Sequence, residues 1–198
     1  MTEQILTDFT YLTYDRQMIT EALGRGGPLI LKNVVLQTAN QKNQNGRIYP
    51  MPILMREAER YKQFITERRA LGELDHPESP VVNLKNVSHN LTELWFNGEN
   101  LMGNIEVLGT PSGNILKELL KNNIKLGISS RGLGSIKELD DETVEVQEDF
   151  SLICFDVVSN PSTEGAFINE SVLPGAKCGA WCRVNSLVYD FMSEVTRK

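Results

Sequence analysis

The chain has 198 residues, 40% of them hydrophobic, which fits one domain with a buried core. A net charge of −6 without any long basic run excludes the electrostatic footprint of a duplex nucleic-acid binder. No apolar stretch is long enough to span a bilayer, and Met1-Thr2-Glu3-Gln4 lacks the basic and apolar regions of a signal peptide, so a cytosolic protein is expected.

Residues 1–27 mix polar and apolar side chains and end in Gly24-Arg25-Gly26-Gly27, which reads as a flexible N-terminal segment ahead of one domain over residues 28–198. Pro28 to Thr38 is rich in Leu, Ile and Val and is a predicted strand. Asn45-Gly46 is a turn signal in a polar stretch. Leu54, Ala58, Tyr61 and Ile65 recur at helical spacing within Pro52 to Ala70. Leu71 to Val82, broken by Pro77 and Pro80, reads as a loop. Two strands, Asn83 to Phe96 and Asn100 to Leu108, follow as a hairpin about Asn97-Gly98-Glu99. Thr110-Pro111 opens a helix as cap and first-turn proline, with Ile115, Leu116, Leu119 and Leu120 as its apolar stripe. Lys125 to Glu138 and Thr143 to Val158 are predicted strands, and an amphipathic helix over Val184 to Val195 closes the chain. The order is that of an α+β, mainly β domain, such as a small barrel or bent sheet with helices outside.

The cysteines are Cys154, Cys178 and Cys182, an odd number without a second metal-type pair, so neither a disulfide framework nor a zinc site is expected. No phosphate-binding loop is present, and no cofactor is expected.

Candidate chemistry begins with the histidines, of which there are two. His76 lies in Gly72-Glu73-Leu74-Asp75-His76-Pro77-Glu78, where the proline restricts the backbone and three carboxylates lie close in sequence. It reads either as a proton-transfer residue or as a surface histidine in an acidic loop. His89, on the strand face of Val87 and Leu91, reads as a partly buried structural histidine. Gly127-Ile128-Ser129-Ser130-Arg131-Gly132-Leu133-Gly134 sets two serines among glycines that would let a peptide backbone approach closely. In an extended segment only one of Ser129 and Ser130 can face a given histidine. The other reading is a glycine-rich bend with solvated serines. Asp156 sits in the apolar run Phe150 to Val158, where a carboxylate needs a partner such as a cationic histidine, unless it faces solvent.

Four blocks, Asn45-Gly46-Arg47-Ile48-Tyr49-Pro50, Leu71 to Pro77, Gly127 to Ser135 and Phe150 to Ser162, occur in an order that resembles the prohead core protein proteases of myovirus-type tailed bacteriophages. The resemblance implies a fold like the herpesvirus assemblins, a β-barrel surrounded by helices, and a Ser-His-Asp serine endopeptidase. It implies Ser129 as nucleophile, His76 as general base and Asp156 as the orienting carboxylate. Backbone N–H groups near Ser130 to Gly132, supported by Arg131, would bind the oxyanion.

The implied role is cleavage of scaffold core proteins and of the capsid protein's N-terminal segment inside the prohead, within the host cytoplasm, with neither nucleic acid nor membrane as partner. A homo-oligomer is compatible with this reading. The implied cleavage pattern is Leu or Ile, any residue, Glu, then Ala or Gly. Ile19-Thr20-Glu21-Ala22 is its one strict match in the chain, which makes Glu21–Ala22 the candidate self-cleavage site and residues 1–21 a candidate propeptide. The alternative is a catalytically inactive capsid- or scaffold-associated protein of the same fold.

Overall fold

A computed structural model describes residues 3–14, 19, 21, 22, 24, 26–75, 77, 79–139 and 143–159, all within a unit spanning residues 1–164. In chain order the described strands and long helices are β1 (Gln4–Tyr11), β2 (Leu29–Thr38), β3 (Arg47–Ile48), α1 (Met51–Thr66), β4 (Leu71–Glu73), β5 (Val87–Asn97), β6 (Asn100–Val107), α2 (Pro111–Lys121), β7 (Gly127–Gly134), β8 (Ile136–Glu138), β9 (Val144–Val146) and β10 (Ser151–Val158). The domain is mainly β, as the sequence pattern indicates.

The local reasons are visible in the side chains. β6 alternates half-buried and buried residues without a break, placing Leu101, Ile105 and Val107 inwards, the period of a strand with one face in the core. Its hairpin with β5 turns at Gly98, whose φ of 60° suits glycine. α2 starts where Thr110 Oγ1 accepts the Gly113 N–H at 3.0 Å, and Leu116 and Leu120 bury its inner stripe. α1 starts with a proline in its first turn and buries Ile53, Leu54, Ala58 and Tyr61. Leu54 is fully buried, so its truncation to alanine would cost about 2–5 kcal/mol.

The strands form three sheets, in the orders β1-β7-β10, β2-β6-β5-β4 and β3-β9-β8. A parallel bridge between Leu74 and Val157 joins the first two at β4 and β10. No ladder joins β1 to β2, so the described strands do not close into the expected barrel by hydrogen bonding. The reading of residues 1–27 as a flexible segment is corrected for Gln4–Tyr11, which pairs with β7 along its length. Leu6 is fully buried and Phe9 nearly so, and their burial holds the strand in place. The expected loop from Leu71 begins instead as β4, paired with β5. The two long strands expected near the C-terminal end are each divided. One breaks at Ser135, whose N–H leaves the ladder for the Asp149 carboxylate, and the other at the turn closed by Phe150 N and Gln147 O. The Val184 to Val195 helix, Cys178 and Cys182 lie outside the described residues.

Candidate active site

β7 is the central strand of its sheet, and register fixes what each serine meets. Ser129 stands opposite Phe9 of β1 and Asp156 of β10, and Ser130 stands opposite Asp8 and Phe155. Cross-strand partners share a face and neighbours along a strand alternate, so the two serines look into different environments.

The Ser129 face carries charge. Arg131, two residues on and therefore on the same face, is fully buried, as are Asp156 and Glu73. Arg131 Nε lies 2.9 Å from Asp156 Oδ2 and Nη2 lies 3.2 Å from Oδ1. Nη2 also donates to Glu73 Oε1 at 2.7 Å, and Nη1 donates to the Ser79 carbonyl at 2.7 Å. Asp156 Oδ1 accepts the Glu73 N–H at 3.0 Å and lies 3.4 Å from Cys154 Sγ. Burial pushes the Asp156 carboxyl above the usual carboxylate range, against the opposing pull of Arg131. The same burial, with Asp156 beside it, pushes the Cys154 thiol far up, which disfavours its thiolate. Ser129 Oγ is buried and has no hydrogen-bond partner among the described residues.

His76 lies outside the described residues, and its chain neighbours locate the stretch that carries it. Glu73 N is tied to Asp156, and Asp75 N donates to the Val157 carbonyl at 2.8 Å. Asp75 has a φ of 61°, a left-handed conformation that aspartate tolerates and that turns the chain immediately before the histidine. Further along, the Ser79 carbonyl is held by Arg131. The anchors of this stretch are therefore groups on the Ser129 face of β7 and its neighbour β10.

The Ser130 face is core. Phe155, opposite Ser130, meets the Tyr61 ring of α1 edge-on at 5.7 Å. Asp8, on the other side, accepts from Asn43 Nδ2 at 2.7 Å, Asn45 Nδ2 at 2.9 Å, Arg47 Nη1 at 3.2 Å and the Tyr49 hydroxyl. These donors include Asn45, Arg47 and Tyr49 of the Asn45 to Pro50 block. Its residues thus bind β1 to the loop before α1, and burial together with Asp8 raises the Tyr49 hydroxyl well above its ordinary value. Ser130 Oγ also lacks a partner among the described residues.

His89 is buried with both ring nitrogens occupied. Nε2 faces the Phe155 carbonyl at 2.9 Å and must donate, so Nδ1 accepts from the Ser88 hydroxyl at 2.8 Å. Burial lowers its pKa to about 4, against the smaller opposing effect of the Phe155 bond, so the ring is neutral and structural, as its strand position indicates. Gly72 lies against it, where any side chain would collide with His89 and the Phe155 carbonyl.

The sequence matches the model of the prohead core protein serine protease family over residues 17–175. The chain belongs to that family. It is 30% identical over 152 residues, 74% of this chain and 70% of the relative, to the prohead core protein protease of Enterobacteria phage T4. Its fold is similar to the solved structure of the bacteriophage T4 capsid assembly protease, gp21, with a TM-score of 0.70, 22% identity, and cover of 81% of this chain and all of the other.

Within this prohead protease domain, the residues expected at the site have defined surroundings. Arg131, expected to support the oxyanion, is fully buried and bonded to two carboxylates and a carbonyl. The amides of Ser130, Arg131 and Gly132 face β1 and β10, which flank β7 along its length with one irregularity between Leu152 and Cys154. The space left by glycine is filled from within: the Phe150 ring occupies it at Gly132 and the Phe9 ring at Gly127. Asp156 has Arg131, the Glu73 amide and the Cys154 thiol as its partners among the described residues. At the candidate self-cleavage site, Glu21 is exposed and Ala22 half-buried, both in helical conformation, while Ile19 is buried in the core. Sequence reasoning missed Glu73 and Asp8. The signal for Glu73 is its place in the Leu71 to Pro77 block, while Asp8 lies in the segment expected to be flexible.

Proposed function

We propose that the chain is a serine endopeptidase in which Ser129 is the nucleophile and His76 the general base. The observation that carries this is the division of the serine pair. Ser129 shares its face with Arg131 and Asp156, the groups that anchor the His76 stretch at Glu73 and Ser79. Ser129 Oγ would attack the scissile carbonyl as His76 takes its proton, and His76 would return that proton to the leaving amine. Asp156 fits the third place by position, since it lies opposite Ser129 and accepts the N–H of Glu73, three residues before His76 in the chain.

The substrates under this reading are scaffold core proteins and the N-terminal segment of the capsid protein, cut after Glu in Leu/Ile-x-Glu before Ala/Gly, inside the prohead in the host cytoplasm. The bridge between β4 and β10 supports an assemblin-like reading of the strand order as a barrel. Self-processing at Glu21–Ala22 requires local opening, because Ile19 must leave the core before the segment can lie extended in a protease site. Cleavage there would leave β1 paired to β7 with no covalent link to the rest. One observation favours the inactive alternative: Ser129 is only 1% exposed, so a peptide reaches it only after its cover is displaced.

The test is cleavage of a Leu-x-Glu-Ala peptide by the unmodified protein and by Ser129→Ala, with intact-mass analysis of both after incubation. Peptide cleavage and loss of 21 N-terminal residues confined to the unmodified protein support the reading. No peptide cleavage by any form establishes the inactive alternative, and equal trimming of both forms refutes self-processing.

A further inference from the structure

Glu73 is a buried polar group that the proposed chemistry does not use. It is fully buried at the end of β4, and its carboxylate spans the neck of the stretch that follows. Oε1 accepts the Asn83 N–H at 3.0 Å, which ties the far end of the stretch to its beginning. The same oxygen accepts from Arg131 Nη2 at 2.7 Å, and Arg131 holds the middle of the stretch by the Ser79 carbonyl. Glu73 N is bound to Asp156 Oδ1 at 3.0 Å. Glu73, Ser79 and Asn83 are thus tied to one buried ion cluster, and His76 lies between the first two of them in the chain.

We propose that Glu73, acting through Arg131 and the Asn83 amide, is a positioning residue that sets His76 relative to Ser129; this rests on the reading of those two as base and nucleophile. Two physical points favour such a role over general stability. A buried ion triad is weak evidence for stability, because desolvation offsets much of its attraction, and its attested use is to fix one arrangement. Arginine presents a planar fork that can meet two carboxylates and a carbonyl at once, which a lysine ammonium on a flexible stem does not reproduce. The triad therefore specifies where the stretch sits more than it holds the sheets together. β7 and β10 already pair with each other from Val158 opposite Gly127 to Ser151 opposite Leu133.

The experiment compares Glu73→Gln and Arg131→Lys with the unmodified protein by steady-state peptide cleavage and by amide hydrogen exchange, with His76→Ala in parallel. The expected result is a fall in kcat of about tenfold or more with KM within about twofold, since the base is displaced while peptide contacts remain. Exchange at Asp75 and Asn83 should rise while the β7 amides stay protected. Wild-type kcat in both variants, or exchange that rises equally in β7, overturns the proposal. If Glu73→Gln fails to fold, Arg131→Lys alone decides by the same two readings. If His76→Ala cleaves as well as the unmodified protein, the reading of His76 as base fails, while the exchange result still decides whether Glu73 laces the stretch.

Discussion

The two faces of β7 differ by one residue in register and by their whole chemistry. On one, Ser130 is set among Phe155, the Tyr61 ring and Asp8, whose four donors tie β1 to the loop before α1. On the other, Ser129 stands with Arg131 and Asp156, under a stretch anchored at Glu73, Asp75 and Ser79. Both hydroxyls are buried and unpartnered among the described residues, so burial alone does not separate them. What separates them is the company that strand alternation provides: a carboxylate locked into a framework on one side, and a charged cluster tied to a histidine-bearing stretch on the other.

The comparison breaks most sharply at the serines. Ser129→Ala should lower peptide cleavage by about 10⁴-fold or more, measured under single-turnover conditions, with thermal unfolding little changed. A dead Ser130→Ala enzyme beside an active Ser129→Ala would exchange the roles of the two faces.

Asp156→Asn sharpens the charged face. If Asp156 orients His76, turnover should fall on the order of a hundredfold, with the loss concentrated in kcat. Its stability should respond in a defined direction. The folded carboxyl is raised above its unfolded value, so its contribution to stability is fully present below about pH 3.9 and is lost as pH rises through the folded value. The melting temperature of Asp156→Asn should therefore gain on that of the unmodified protein as pH rises from about 4 to neutrality. A constant difference across that range would mean that Asp156 remains ionised throughout.

How much of this was legible in the sequence depends on the kind of signal. The Thr110 cap, the helical spacing of Leu54, Ala58 and Tyr61, and the alternation of β6 are local, and each appears where its pattern lies. β1 was not legible, because QILTDFTY interleaves Thr and Asp with its apolar residues, and only the long-range pairing with β7 shows why Asp8 is buried. The four blocks were legible as a group, but not their tasks. Asn45, Arg47 and Tyr49 converge on Asp8 from 37 to 41 positions away, and Arg131 reaches Glu73 from 58, contacts that no spacing rule encodes.

The structural histidine gives a smaller effect. His89 has a pKa lowered from about 6.5 to about 4, so its contribution is present above about pH 6.5 and is lost as pH falls towards 4, about 3 kcal/mol in all. Chemical denaturation at stepped pH should show that loss, and His89→Gln should flatten it. An unmodified protein whose stability does not fall across this range would require a solvated His89. Smallest of all, Ser130→Ala should leave cleavage within about threefold and stability within about 1 kcal/mol, since its hydroxyl has no bond to lose among the described residues.

The assignment of chemistry to the Ser129 face is tested most directly by labelling with a fluorophosphonate and locating the adduct by peptide mass spectrometry, with His76→Ala beside the unmodified protein. One adduct, on Ser129, is expected in the unmodified protein, with its near absence in His76→Ala. An adduct on Ser130, or labelling of Ser129 that is indifferent to His76, would contradict the assignment.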